Sequence, residues 1–405
     1  MSQAASFKHA KISVDALNGD EHPEALFPVS SPGKPSIGQN SHTRFDVLRN
    51  TWTVYATGRE DRPHEFIEAG VTTNKNLDCP FCCGNEDQTP SPTWVGKVVR
   101  TKDSAFRIDT NPDDKQPCDP AWTVRVVPNK YPAVDASPFP SDSKTQLPLA
   151  LSNSSPLFPS SPVFGGHEVV IESRRHAHSL TDVSITEAEL VFRAYRDRLL
   201  HFRNDPNVKY ANVFKNVGQQ AGASLSHSHS QIVATNQVPP MIEQSFGRMK
   251  RHRASTGCCL MCDMVREERR QKERVIARDE HSIAFCPFAS HLPMMVRVTT
   301  KQHQECFEDL DDQSLRSVSR MVYRVIGWLE TLQPGAAYNY YLSTKPSGIE
   351  DSSEAFHWSI DIFPRITQVA GFEWASGSMI NPVLPEFAAR QYRYRAIAED
   401  PRLTL

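Results

Sequence analysis

One plan occurs twice in this chain, and that repetition limits what it can fold into. Cys-Pro-Phe-Cys at 79–82 has a counterpart in Cys-Leu-Met-Cys at 259–262. Each pair is followed by strand-like segments, a lone histidine, an Asp-containing turn, a long helical pattern and a strand-like run with a second histidine. The histidines are His176 and His227 in the first half, His303 and His357 in the second, at nearly matched spacing. Four elements in register indicate an internal duplication, so the fold must be one that two copies of a single unit can build together.

The repeated residues also carry a chemistry. A C-x-x-C turn lets two thiolates reach one tetrahedral ion, and two distant histidines can complete a Cys₂His₂ shell. The first set is Cys79, Cys82, His176 and His227; the second is Cys259, Cys262, His303 and His357. Ordinary buried thiols and core histidines are the competing reading. Against it stand the Pro-Phe spacer and the Gly84 that follows, which resemble a metal knuckle. On the residues alone His178 could replace His176. Four protein ligands leave no open position, so both ions are expected to be structural. Cys118, Cys286 and Cys306 match nothing in the plan.

Composition agrees with that reading. An odd count of nine cysteines, with no apolar signal-type stretch over Met1–Val14, predicts metal or thiol chemistry in a cytoplasmic setting rather than a disulfide framework. The balance of 45 basic and 47 acidic residues, net charge -2, argues against a nucleic-acid binder. No stretch is apolar enough to span a membrane.

The pattern predicts an α+β fold, mostly antiparallel sheet with flanking helices. Residues 1–40 are expected to be a poorly ordered arm, 41–240 the first half and 241–405 the second. Strands are predicted within Arg44–Tyr55, with Arg49 and Asn50 between them, and at Thr123–Val127, His167–Ile171, Asn212–Lys215, His227–Ala234, Tyr338–Ser343 and His357–Phe363. Two main helices are expected: one over Ile185–Phe202, and one carrying the stripe Leu315, Val318, Val322, Val325, Ile326 and Leu329. Ala136–Pro162 is dense in Ser and Pro and reads as a long surface loop.

The densest stretch runs from Asn216 to Gln231. Gly218, Gly222 and small neighbours allow close backbone approach to a ligand, and exposed N–H groups suit phosphate oxygens. His227 and His229 stand two apart on a predicted strand and so share a face. One can be pinned by metal while the other offers a free imidazole nitrogen, a good nucleophile toward phosphorus. Gln231, two further on, can donate to the transferred group. The second half has Ser359 where the first has His229, which predicts one active centre per chain.

These residues resemble the galactose-1-phosphate uridylyltransferase family of the histidine-triad superfamily. The similarity runs from about Arg44 to Arg393 and is most specific at Gly222-Ala-Ser-Leu-Ser-His-Ser-His-Ser-Gln231, with Ser where the family motif H-P-H-G-Q has Pro and Gly. That Ser-containing form is similar to divergent prokaryotic transferases and plant ADP-glucose phosphorylases. The resemblance implies two tandem histidine-triad-like halves, with zinc on Cys79, Cys82, His176 and His227, and His229 as nucleophile steadied by Gln231. It implies substrate contacts from Arg59 and Arg62 (in Arg59-Glu-Asp-Arg62-Pro63), Asn129, Asn216 and Ser224, and hexose recognition by Glu373. Cys259, Cys262, His303 and His357 match a second metal site, which holds zinc in some members and iron in others that use a different ligand set. It implies a homodimer acting on UDP-glucose and galactose-1-phosphate through a covalent uridylyl-histidine. The alternative is an ADP-glucose phosphorylase, with adenine as base and phosphate as acceptor. A further alternative is a non-catalytic, zinc-stabilised nucleotide-binding protein.

Overall fold

Residues pairing in the expected alternation build one large sheet in the computed structural model, which describes residues 41–57, 79–100, 106–110, 122–134, 136, 157–158, 161–349 and 353–403. The strands are β1 (His42–Asp46), β2 (Thr51–Tyr55), β3 (Trp94–Arg100), β4 (Phe106–Thr110), β5 (Val124–Pro128), β6 (Gly165–Ile171), β7 (Tyr210–Val217) and β8 (His229–Thr235). They continue as β9 (Val275–Arg278), β10 (Ser282–Phe285), β11 (Val296–Thr300), β12 (Tyr338–Ser343), β13 (Ser359–Pro364) and β14 (Met379–Asn381). Eleven of them form a sheet ordered β4-β3-β5-β6-β8-β7-β12-β13-β11-β10-β9, and β1, β2 and β14 form a small separate one.

That order is symmetric about the β7–β12 seam. Reading outward, β7, β8, β6, β5, β3 on one side answer β12, β13, β11, β10, β9 on the other. Each half places a long helix between corresponding strands: α1 (Ile185–Arg203) between β6 and β7, and α4 (Asp312–Leu332) between β11 and β12. The duplication is therefore a structural one, and the fold is α+β with two tandem halves sharing an antiparallel sheet. Both long helices start where a capping residue allows. Ser184 accepts from the backbone N–H of Glu187, and Asp311 accepts from that of Ser314. The α4 stripe predicted from its spacing is buried, with Val318, Val322, Val325, Ile326 and Leu329 at 0% exposure.

Three local differences from the sequence reading matter. His227 stands before β8 rather than on it, because the strand begins at His229. Beyond the two expected helices there are α2 (Pro240–Thr256), α3 (Leu260–Gln271), α5 (Gly371–Ser376) and α6 (Pro385–Glu399). α2 starts at a Pro-Pro pair, with Pro239 as N-cap and Pro240 at N1, a start signal that a search for apolar stripes passes over. The second C-x-x-C is not a free turn: Cys259 is the N-cap of α3 and Cys262 lies in its first turn. The arm at 1–40 and most of the Ser- and Pro-rich stretch lie outside the described residues, as does Cys118.

Candidate active site and metal centres

The first knuckle is built by its own backbone. The N–H of Cys82 donates to the Cys79 carbonyl over 3.1 Å, and Asn85 Nδ2 donates to the same oxygen over 2.9 Å. Gly84, at φ +96, turns the chain in the left-handed region. Glu86 then accepts from Gly84 N–H and from the indole N–H of buried Trp122. The Cys83 N–H donates to the Arg174 carbonyl, which ties the knuckle to the segment leading to His176.

Four ligand atoms converge there. Cys82 Sγ lies 3.4 Å from His176 Nδ1 and 3.6 Å from His227 Nδ1, and Cys79 Sγ lies 3.5 Å from His227 Nδ1. A tetrahedral zinc with ordinary Zn–S and Zn–N lengths sets its S···N edges at about 3.5 Å, so the donors already stand at coordination spacing. The outer nitrogens are also committed. His227 Nε2–H donates to the Ser173 carbonyl over 2.8 Å, and His176 Nε2 is 3.0 Å from Ser226 Oγ. This is the support that turns a histidine's other nitrogen toward a metal. His178 is exposed and stacks edge-on against His176, so His176 is the inward member of the pair.

The second set repeats the arrangement with more slack. Cys262 Sγ is 3.5 Å from His303 Nδ1 and 3.4 Å from His357 Nδ1, while Cys259 Sγ is 4.0 Å from His357 Nδ1. His357 Nε2 lies 3.0 Å from Thr300 Oγ1, and His303 is exposed. In both sets the ligand atoms all fall within 4.8 Å of one another. Both sets fit zinc.

His229 opens β8 two residues after His227. Its Nδ1–H donates to the His227 carbonyl over 2.7 Å, which leaves the lone pair on Nε2. Burial pushes this imidazole below its ordinary pKa, a shift partly offset by that hydrogen bond. The ring is 6% exposed and meets Phe81 of the knuckle edge-on at 5.3 Å.

Strand alternation separates the two faces of the sheet. Tyr195 of α1 donates to Ser230 Oγ over 2.7 Å and lies 2.6 Å from Tyr340 hydroxyl to hydroxyl, so Ser230 and Tyr340 mark the helix-covered face. His229, Gln231, Asn216, Asn339 and His167, at the alternate positions of β8, β7, β12 and β6, lie on the other. Asn216 Oδ1 accepts from Asn339 Nδ2 over 2.8 Å. Gly218, at φ +82, would place a Cβ 2.8 Å from that of Ala337, so only glycine lets this loop close against the neighbouring strand. Asn129 Nδ2 and His167 Nε2 both approach Gln231 Oε1, at 3.4 and 2.8 Å.

Behind His229 sits a buried polar group that spacing did not reveal. Lys215 Nζ donates to Glu172 Oε2 at 2.5 Å, to Ser228 Oγ at 2.9 Å and to the His229 carbonyl at 3.2 Å. Lys215 and Glu172 are both at 0% exposure. Burial alone would raise the Glu172 pKa. The Lys215 charge and the hydroxyls of Ser228 and Ser230 outweigh it and hold the carboxyl below its ordinary value.

The remaining predicted residues are less gathered. Ser224 is exposed on the turn before His227. Glu373 lies in α5, where its carboxylate accepts from the Ala370 N–H and so caps its own helix. Arg59 and Arg62 fall outside the described residues. His167, Asn339, Glu172 and Lys215 were missed as site residues. The signal for His167 and Lys215 was a polar residue within a strand-like run.

A family model described as a domain of unknown function, DUF4921, matches residues 150–393, more than half of the chain. A galactose-1-phosphate uridylyltransferase of Thermotoga maritima is 27% identical over 357 residues, which cover 86% of this chain and 97% of that protein. An ADP-glucose phosphorylase of Arabidopsis thaliana is 31% identical over 358 residues, covering 88% of this chain and 93% of that one. The chain belongs to the galactose-1-phosphate uridylyltransferase and ADP-glucose phosphorylase family. Among solved structures, that of an Arabidopsis thaliana ADP-glucose phosphorylase with bound ADP-glucose superposes with a TM-score of 0.69 at 29% identity, covering 87% of this chain and 99% of the other. The likeness to that structure agrees with the α+β fold described above. Among the described residues no helix is long and apolar enough to cross a membrane.

Proposed function

We propose that this family member is a nucleotidyltransferase that works by double displacement through a covalent nucleotidyl-histidine at His229. The observation that carries this is the His229 imidazole, buried, with Nδ1–H held by the His227 carbonyl and its Nε2 lone pair left for attack. In the first step Nε2 attacks the α-phosphorus of a nucleoside diphosphate hexose. The P–N bond forms, the bond to the bridging oxygen breaks and hexose-1-phosphate leaves. An acceptor oxygen then attacks the same phosphorus and displaces the histidine. Gln231 donates to the transferred phosphoryl group. Asn129, Asn216, Ser224, Arg59 and Arg62 contact the nucleotide and phosphates, and Glu373 the hexose.

Two donors fit this scheme. The 31% identity and the likeness to a structure with bound ADP-glucose favour ADP-glucose with phosphate as acceptor. The 27% identity to a galactose-1-phosphate uridylyltransferase supports UDP-glucose with galactose-1-phosphate. Zinc at both Cys₂His₂ sets would hold the knuckles and fix His227, and through it His229, without an open position for substrate. The family resemblance supports a homodimer, and thiolate ligands suit a reducing, cytoplasmic setting.

Incubating the protein with each donor and weighing it intact tests both points, since UMP and AMP adducts differ in mass. An adduct on His229 from one donor, discharged by its matching acceptor, is the expected result. Absence of an adduct from both donors, with no turnover, would remove nucleotidyl transfer from consideration.

A further inference from the structure

His167 of β6 stands beside Gln231, and the chain after β5 folds over it. The Asn129 N–H donates to the His167 carbonyl over 2.8 Å, extending the β5–β6 ladder past the strand end. Four residues on, the Ala133 N–H donates to His167 Nδ1 over 3.0 Å. A backbone N–H can only donate, so Nδ1 must be the acceptor nitrogen and the ring proton must reside on Nε2. That proton is aimed at Gln231 Oε1, 2.8 Å away.

Asn129 adds a second constraint. Its Oδ1 accepts from the Tyr131 N–H over 2.8 Å, which leaves its Nδ2 as the end facing Gln231 Oε1. Asn129 Nδ2 also stands 3.1 Å from His167 Nε2, and with that nitrogen protonated neither can accept from the other, so both donors turn to the one amide oxygen. Turning the Gln231 amide over would set its NH₂ against the His167 Nε2–H and Asn129 NH₂, with no acceptor for any of them. The NH₂ of Gln231 must therefore point away from His167. Gln231 is two positions along β8 from His229 on the same face, about 7 Å in backbone terms. Its donor end is what a phosphoryl group on His229 Nε2 requires.

We infer that His167 is a positioning residue that locks the Gln231 amide with its NH₂ toward the transferred phosphoryl group. The inference rests on the nucleotidyl-transfer reading for its catalytic consequence, but the locked orientation itself does not.

Two measurements test it on the full-length, metal-loaded protein. The first is ¹⁵N NMR of His167, assigned by comparison with His167→Phe. The expected spectrum has a protonated Nε2 and an unprotonated, hydrogen-bonded Nδ1 at neutral pH. The reverse tautomer would overturn the inference regardless of activity. The second compares single-turnover nucleotidylation and steady-state kinetics of His167→Phe and His167→Gln with the wild type. Phe fills the space without a donor, while Gln places an amide N–H near the former Nε2. His167→Phe is expected to slow adduct formation roughly 10- to 100-fold with KM changed less than about threefold, and His167→Gln to recover most of that loss. Unchanged kcat in His167→Phe, or equal losses in both variants, would leave His167 a merely structural residue. If wild type forms no adduct, the functional reading fails while the tautomer still decides whether the amide is locked.

Discussion

The Nδ1–H of His229 donates to the carbonyl oxygen of His227 over 2.7 Å, so the backbone of a residue in the first Cys₂His₂ set decides which nitrogen of the neighbouring imidazole keeps its lone pair. His227 is itself gripped at both ends: Nδ1 faces the two thiols and Nε2–H is bound to the Ser173 carbonyl. The His229 imidazole thus takes its direction from the backbone of the first Cys₂His₂ set.

His229→Ala removes the attacking nitrogen and leaves all four Cys₂His₂ ligands in place. Transfer should fall by at least about 10³-fold with no nucleotidylated protein, while zinc content and thermal midpoint stay near wild type. Elemental analysis, intact mass and a turnover assay on one preparation check it. Substantial residual turnover would take His229 out of the mechanism.

Cys79→Ser should act on stability first. Loss of one thiolate from a closed structural site weakens zinc binding, and that binding free energy is folding free energy. A drop in thermal midpoint on the order of 5–10 °C is expected, with loss of about one zinc per chain by native mass spectrometry. A variant that loses the ion but melts like wild type would contradict the structural role.

Lys215→Met leaves Glu172 charged and unpaired at full burial. The expected cost is about 3–5 kcal/mol, and adding Glu172→Gln should restore a large part of it. Urea denaturation of the two single variants and the double variant gives the coupling directly. Independent, additive losses would mean that the pair does not act as a unit.

Arg297 and Asp361 form a bidentate pair across β11 and β13, at 2.6 and 2.7 Å. Burial would raise the Asp361 pKa, but the Arg297 guanidinium overcomes it and holds the carboxyl below its ordinary value. A depressed carboxyl stabilises the fold fully above its unfolded pKa of about 3.9, and that stabilisation is lost as pH falls through the lower folded value. Thermal midpoints of wild type and Asp361→Asn should therefore differ most near neutrality and converge below about pH 4. A gap that does not narrow in acid would assign the loss to packing rather than charge.

The repeat was legible because metal ligands are rare residue types at fixed spacing, and the topology renders that spacing as β7 answering β12 and His229 answering Ser359. The helix stripe was legible for α4 because it buries one face, and for α1 because apolar residues recur at helical spacing even though Ala188 to Phe192 are all buried. What escaped was chemistry assembled across strands. Glu172 follows β6, Lys215 lies on β7 and Ser228 precedes β8, and only strand pairing brings them together. His167 was visible as the first residue of a strand-like run, but its link to Gln231 depends on the register of β6 against β8 and on a loop from β5. β8 starts two residues later than the alternation of Ser and His predicts, because His227 is held beside the knuckle and by the Ser173 carbonyl.

The β7–β12 seam has a consequence for solubility. Two separate copies of the unit would each present an inner strand with unpaired N–H and C=O groups, a template for pairing with other chains. Joined in one polypeptide, those borders satisfy each other from Tyr338 against Val217 to Leu342 against Val213, and among the described residues the sheet ends only at β4 and β9. A half expressed alone would expose Tyr210–Val217 or Tyr338–Ser343, and each would pair with whatever strand it met first.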